Sequence, residues 1–214
     1  MNYTEFRNKL NPFPEFTVQE IRKYFPKFDT RRLVEWQRKG YITKLRNGYY
    51  CFTDQTINEQ FLFYTANQLC RPSYVSLETA LSYYGFIPEG VFQITSCTTL
   101  KTQSFKTPYG SFAYRHIKAS IYFGYQLIEW SQSVAPTEKS YRFTMASPEK
   151  TLIDYLYLNA EVKDTKDIEA LRWNRPRILE TIDTRKLELF ARYIGSPALD
   201  QRLTILRSYL NATT

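Results

Sequence analysis

Basic side chains cluster in two short segments near the N-terminus. The segment "DTRRLVEWQRKG" carries Arg31, Arg32 and Arg38, and the segment "YITKLRNGYY" carries Lys44 and Arg46. Guanidinium and ammonium groups at this density bind phosphates, and an arginine can also read the edge of a guanine in the major groove. The chemistry that these residues suggest is recognition of a polyanion such as DNA or RNA.

The distribution of charge along the 214 residues supports this interpretation. The whole chain has a formal net charge of +8. Residues 1–53 contain 11 Lys and Arg and 5 Asp and Glu, a net charge of +6, whereas residues 54–214 carry only +2. A positive field confined to one end of the chain favours a nucleic-acid partner at that end.

Residues suited to catalysis are sparse. His116 is the single histidine, it lies in a strand-like alternation, and no GxSxG motif precedes it. There is no glycine-rich phosphate loop and no CxxC spacing, and we expect Cys51, Cys70 and Cys97 to be buried, reduced thiols. We therefore expect no enzyme, no cofactor and no metal ion.

Glu149, Lys150 and Asp154 come closest to the carboxylate set of a metal-dependent nuclease. Glu149 and Lys150 are adjacent and would point to different faces of a helix, while Asp154 follows Lys150 at the spacing of a surface or capping pair. Ser147 and Pro148 are typical of a helix start, so we interpret this segment as structural. A nuclease-like DNA-processing enzyme remains the alternative function.

Three helices are predicted in the first 40 residues, and they must position the basic side chains. Apolar residues at 3–4 spacing in "NYTEFRNKL" predict the first helix. Thr17 and Glu20 form a capping-box pattern at the start of the second. The third has Asp29 or Thr30 as its N-cap and ends before Gly40.

A β-hairpin is predicted to follow the third helix. Asn47-Gly48 between "YITKL" and "GYYCF" indicates a type I′ turn. Three helices and a hairpin are the plan of a winged helix-turn-helix domain, in which the third helix enters the major groove and the hairpin tip lies beside the phosphates. The predicted DNA contacts are Thr30, Arg31, Arg32 and Arg38 on the third helix, Lys44, Arg46 and Asn47 on the hairpin, and Lys23 and Lys27 flanking the groove.

Glu35 lies among the basic residues of the third helix and has two interpretations. Its carboxylate could accept a hydrogen bond from cytosine N4, or it could pair with Lys39 one helical turn later. The pattern favours the second interpretation.

From Asp54 onward the charges balance and aromatic residues become dense. Helical patterns in "TINEQFLFYTANQL" and "SYVSLETALSYYGF" are followed by period-two alternation in "VFQITSCTT", "SFKTPYGSFAYRHI", "IYFGYQLI" and "YRFTMA", which predicts an antiparallel sheet of four or five strands. Helices return in "SPEKTLIDYLYL", "DTKDIEALRW", "TRKLELFARYIG" and "PALDQRLTILRSYL". The predicted fold is α+β: a winged helix-turn-helix domain at 1–53 and an α+β domain at 54–214 with C-terminal helices.

The chain carries no sign of a membrane segment. It has no apolar run of about 18 residues, and "MNYTEFRNKLNPF" lacks the apolar stretch of a signal peptide. We expect a cytoplasmic protein with no membrane partner.

Four segments resemble the AbiEi-type antitoxins of bacterial abortive-infection, type IV toxin–antitoxin systems. They are "RRLVEWQRKGYITKLRNGYY", "PSYVSLETALSYYGFIPEGVFQITSCTT", "YFGY" and "ASPEKTLIDYLYL", and the resemblance runs from about residue 17 to residue 160. It implies a winged helix domain that binds inverted repeats in the promoter of its own operon and represses it. It also implies a C-terminal domain that counteracts a nucleotidyltransferase toxin without forming a stable complex. The resemblance provides no catalytic residues, and it leaves open a solitary regulator. The aromatic C-terminal domain could in addition dock a protein partner through an exposed apolar patch.

Overall fold

The computed structural model describes residues 2–134 and 137–212, with the backbone alone considered at 132–134 and 137–139. The helices are α1 (Tyr3–Leu10), α2 (Val18–Tyr24), α3 (Arg31–Arg38), α4 (Glu59–Leu69), α5 (Leu77–Tyr83), α6 (Pro148–Leu158), α7 (Thr165–Ala170), α8 (Arg175–Thr181), α9 (Thr184–Ile194) and α10 (Pro197–Asn211). The strands are β1 (Phe16–Thr17), β2 (Ile42–Arg46), β3 (Tyr49–Phe52), β4 (Ser73–Val75), β5 (Gln93–Thr98), β6 (Gln103–Thr107), β7 (Gly110–His116), β8 (Tyr125–Val134) and β9 (Thr137–Ala146).

The N-terminal lobe, residues 2–53, contains three helices and a three-stranded antiparallel sheet in the order β1-β3-β2. The predicted capping box is confirmed: Thr17 Oγ1 accepts from the Glu20 backbone N–H at 3.1 Å, and the Glu20 carboxylate accepts from the Thr17 backbone N–H at 2.7 Å. The core of the lobe is aromatic, with the Phe6 and Trp36 ring centroids 4.4 Å apart. This core fixes the orientation of α3, because Trp36 belongs to that helix.

The hairpin turn differs from the predicted type. Arg46 pairs with Tyr49, so the turn contains Asn47 and Gly48 as expected. Gly48 has a φ of 84°, but Asn47 keeps a negative φ, and a type I′ turn needs positive values at both positions. The type I′ prediction is therefore wrong. The strand register also shifts between Lys44 and Arg46, an irregularity next to this turn.

The second lobe, residues 54–212, is built on a six-stranded sheet in the order β6-β7-β5-β4-β9-β8. The pairs β5–β7 and β4–β9 are parallel, and the other neighbouring pairs are antiparallel. The prediction of an antiparallel sheet of four or five strands is wrong in both number and direction, because alternation identifies a strand but not its partner. The residues of β4 were predicted as helix, which in fact begins at Leu77.

Helices cover the second lobe at its C-terminal end. Ser147 caps α6 by accepting from the Lys150 backbone N–H, with Pro148 in the first turn, as predicted. Helix α8 was not predicted, although Asn174 at its N-cap and Pro176 in its first turn are ordinary start signals. The α+β class with C-terminal helices is confirmed. None of the helices in 2–134 and 137–212 is long and apolar enough to cross a membrane.

The two lobes pack closely against each other. Leu45 and Cys51, on the hairpin of the N-terminal lobe, lie in the core of the second lobe beside Phe61. Tyr141 Oη donates to the Pro12 carbonyl oxygen at 2.7 Å. All three cysteines are buried and free of disulfide bonds, as predicted. The hairpin therefore contributes to two hydrophobic cores at once.

Candidate nucleic-acid interface

Helix α3 has one buried face and one exposed face. Leu33 and Trp36 are 2% and 3% exposed and pack in the lobe core. Arg31, Val34 and Arg38 follow the opposite stripe at spacings of three and four residues, and all three are exposed. Because the two core residues fix the rotation of the helix, the stripe is held toward solvent.

At the N-terminal end of α3, Asp29 engages Arg31. The Asp29 carboxylate accepts from the Arg31 backbone N–H at 3.0 Å and from its guanidinium Nε at 2.9 Å. This contact lowers the pKa of Asp29 below its ordinary value, and the Arg31 side chain remains 91% exposed. Thr30 makes no side-chain capping bond. Exposed ion pairs contribute little stability, so a phosphate could replace Asp29 at small cost.

Arg32 and Lys27 lie together beside the turn between α2 and α3. Both are exposed, and both line a shallow cavity of about 570 Å³ whose other walls include Tyr24 and Phe28. Lys23, also exposed, lines a different cavity between the two lobes. The structure therefore places Lys27 and Arg32 on the wall of one cavity and Lys23 on the wall of another.

Glu35 pairs with Lys39, which is the interpretation that the sequence favoured. Lys39 Nζ lies 2.6 Å from Glu35 Oε1, and this contact lowers the pKa of Glu35. Glu35 thus offsets the charge of a neighbouring lysine.

The predicted DNA contacts on the hairpin have two different environments. Lys44 and Asn47 are exposed. Arg46 instead donates from Nη1 to the Leu69 carbonyl oxygen at 2.6 Å, and its guanidinium lies 3.7 Å from the centroid of the Phe105 ring. Arg46 was predicted as a phosphate contact, whereas the structure shows its guanidinium engaged with the second lobe. Residues two apart in a regular strand face the same side of the sheet, so Lys44 and Arg46 were expected to share one face. The register shift between them interrupts this alternation.

Sequence reasoning missed Val34. Its side chain is 51% exposed on the charged face of α3, three residues after Arg31 and four before Arg38. Apolar side chains in such positions can contact the methyl group of thymine in the major groove. The spacing was visible in the sequence, but a valine carries no charge and so did not stand out.

Glu149, from the alternative nuclease interpretation, is buried in a network of donors. Its Oε1 accepts from the Asp183 backbone N–H at 3.0 Å, and its Oε2 accepts from Ser147 Oγ and Lys186 Nζ, each at 2.8 Å. These contacts outweigh burial and lower the pKa of Glu149. The carboxylate is occupied by protein donors on both oxygens.

Asp154 and Lys150 form a fully buried ion pair. Asp154 also accepts from Tyr74 Oη at 2.9 Å and from Ser76 Oγ at 2.8 Å. The expectation of a surface or capping pair is therefore wrong, because strand β4 and the start of α5 cover it, which the i,i+4 spacing could not reveal. Across the described ranges, no three His, Cys, Asp or Glu side chains are arranged to hold a metal ion.

Comparison with known proteins gives the interface no relative. The chain matches no protein-family model and no curated protein. The resemblance to AbiEi-type antitoxins accordingly stays a prediction from the four sequence segments.

Proposed function

We propose that the protein is a DNA-binding transcriptional regulator whose N-terminal lobe is a winged helix-turn-helix domain. The observation that carries the proposal is the polarity of α3: Leu33 and Trp36 lock one face in an aromatic core, while Arg31 and Arg38 extend from the other. The net charge of +6 in residues 1–53 supplies the field that attracts a duplex.

In the proposed complex, α3 enters the major groove with its N-terminal end nearest the bases. Arg31 and Arg32 contact bases or phosphates, Thr30 contacts a phosphate, and Arg38 contacts the backbone further along. Among the remaining predicted contacts, Lys44 and Asn47 on the hairpin and Lys27 beside α3 meet flanking phosphates. Lys23 belongs to the cavity between the lobes, and Arg46 takes no part.

The further proposal is that the regulator is also an antitoxin, and the sequence resemblance supports it. In that case the DNA partner is a pair of inverted repeats in the promoter of the protein's own operon, and the cellular setting is the cytoplasm. The second partner is a nucleotidyltransferase toxin that is counteracted without a stable complex. A neighbouring nucleotidyltransferase gene whose toxicity this protein suppresses on co-expression would support the antitoxin role, and a lone gene would leave a solitary regulator.

Gel-shift titration of the DNA upstream of the coding sequence tests the DNA-binding proposal. Replacing Arg31 and Arg32 together by alanine is expected to weaken binding by about 2–4 kcal/mol. The magnitude of the slope of log affinity against log salt is expected to fall by about 1–2, because up to two phosphate contacts are lost.

The matched control replaces Arg185 and Arg192, two exposed arginines of α9, by alanine. This variant has the same net charge as the first but keeps α3 intact, so its affinity is expected to stay near that of the wild type. Equal losses in the two variants would mean that overall charge alone is responsible, and the assignment of α3 would be wrong.

A further inference from the structure

A polar cavity of about 190 Å³ lies between the two lobes. The N-terminal lobe contributes Glu15 and Lys23, and the second lobe contributes Tyr64, Gln68 and Arg71. The volume is below the 300–1,000 Å³ usual for drug-sized ligands, so the cavity suits a molecule of amino-acid size.

Glu15 is the unusual member of this lining. It is only 5% exposed, and within the described part of the chain its Oε2 atom has no hydrogen-bond partner. Burial raises its pKa to about 8, against weaker lowering by Thr65 and Arg71. Native proteins rarely leave a buried carboxyl oxygen unpaired, because the lost hydration is not recovered. The neighbouring Thr65 hydroxyl also lacks a hydrogen-bond partner of standard geometry in the described part of the chain, and the Glu15 side chain lines the cavity. The Glu15 carboxyl group is therefore suited to a donor that enters the cavity.

The other charged groups at the cavity differ in whether they already have a partner within the chain. The carboxylate of Glu20 accepts from the Thr17 backbone N–H at 2.7 Å and from its hydroxyl at 2.9 Å, so it is occupied by the capping box. Lys23 and Arg71 have no ion-pair partner among the described side chains, those of residues 2–131 and 140–212. One acceptor and two cations thus remain available around a single small space.

We propose that this cavity binds a small zwitterion, whose ammonium group pairs with Glu15 and whose carboxylate pairs with Arg71 and Lys23. The ligand would bridge α2 of the N-terminal lobe and α4 of the second lobe, which is the position of an effector that reports to the DNA-binding surface. The binding claim itself does not depend on DNA recognition.

The proposal predicts a proton release. Glu15 must ionise to accept the ammonium group, so binding at pH 7 expels the proton that the carboxyl group holds in the empty cavity. The other titratable groups that line the cavity are Glu20 and Lys23 from α2, Tyr49 from β3, Tyr64 from α4, and Arg71 just after α4. The proposal changes the protonation of Glu15 alone among these groups, so the released proton reports on Glu15.

The first measurement is calorimetric titration of the full chain with glycine, L-alanine and L-serine, and with propionate and ethylamine as half-ligands. At least one zwitterion is expected to bind and to release close to one proton, which is seen as a dependence of the heat on the ionisation enthalpy of the buffer. The half-ligands are expected to bind at least tenfold more weakly, because each forms only one of the two charged contacts. Propionate binding as tightly as the amino acids, or no binding by any of the three, would overturn the proposal.

The second measurement uses variants. Glu15→Gln keeps the shape of the side chain and is expected to weaken zwitterion binding at least tenfold and to abolish the proton release, and Arg71→Gln is expected to weaken binding similarly. Glu161→Gln changes an exposed glutamate elsewhere and should leave both quantities unchanged. Undiminished affinity in Glu15→Gln would show that the cavity is not the site, whether or not the protein binds DNA.

Discussion

Two helices of this protein carry a lysine and an acid at the same i,i+4 spacing, in opposite surroundings. In α3, the Glu35 and Lys39 side chains are 53% and 52% exposed, whereas in α6 the Lys150 and Asp154 side chains are both 0% exposed. An exposed pair of this kind contributes only about 0.3–0.5 kcal/mol. A buried pair is tolerated only when further hydrogen bonds satisfy it, as Tyr74 does here for both partners.

The comparison teaches that spacing identifies the partner of a charge but not its role. The charges of α3 border water and remain open to exchange with a phosphate. Those of α6 are enclosed, so they serve the fold.

The largest effect is expected from Lys150→Met. Removing the lysine leaves Asp154 buried without its counter-charge, which costs about 3–5 kcal/mol in the free energy of unfolding. Lys39→Met in α3 is the matched control and is expected to cost less than about 0.5 kcal/mol. Urea denaturation of both variants measures the difference. If Lys150→Met unfolds at the same urea concentration as the control, the α6 pair is not the enclosed pair described here.

The next effect concerns Glu15 and pH. Its pKa is about 8 in the folded protein against an ordinary value of 4.5, so the folded state binds more protons than the unfolded state between these limits. Stability in the absence of ligand is therefore full below about pH 4.5 and falls as pH rises toward 8, by up to about 1.4 kcal/mol per unit. Glu15→Gln is expected to remove this decline, as measured by denaturation at pH 5, 6.5 and 8. Parallel curves for wild type and variant would contradict it.

A smaller effect is expected from Arg46→Ala. The variant loses a charged hydrogen bond to the Leu69 carbonyl oxygen and the contact with the Phe105 ring, together about 1–3 kcal/mol of stability. Arg31→Ala, which has only the exposed contact with Asp29, is expected to leave stability within about 0.5 kcal/mol. DNA affinity should show the reverse order. If both variants lose stability equally, the division of the basic residues between the two settings is wrong.

The smallest effect is expected from Asp29→Asn. This change releases the Arg31 guanidinium and removes a negative charge from the proposed DNA surface. Affinity for the upstream DNA is expected to rise slightly at low salt and to converge with the wild type at high salt, because salt screens exposed charges. Gel shifts at two salt concentrations provide the test. A lower affinity would mean that Asp29 holds Arg31 in its binding orientation.

The sequence predicted local structure better than it predicted burial and contacts between distant residues. The capping box of Thr17 and Glu20 and the start of α6 at Ser147 follow from contacts within four residues, and both were found as expected. The parallel pairing of β4 with β9 joins Val75 to Met145, and no local pattern encodes a partner 70 residues away.

The candidate interface shows the same division. The exposed face of α3 follows from helical periodicity around Leu33 and Trp36. The fate of Arg46 does not, because it depends on a register shift in the hairpin and on a carbonyl group of α4, the Leu69 oxygen. Glu15 could not be recognised as a functional candidate from the sequence, because it is buried at the contact between the two lobes, and local patterns do not predict that contact.

The packing of the hairpin against the second lobe limits how the chain can be divided into fragments. Leu45 and Cys51 are buried in the hydrophobic core of the second lobe. Cutting the chain near residue 53 and removing that lobe would expose both side chains to water, and Arg46 would lose its hydrogen bond to the Leu69 carbonyl oxygen. A fragment of the first 53 residues would thus expose an apolar surface and tend to self-associate. Recombination that exchanges such modules between proteins would have to carry the contacting surface of the second lobe along with the N-terminal lobe.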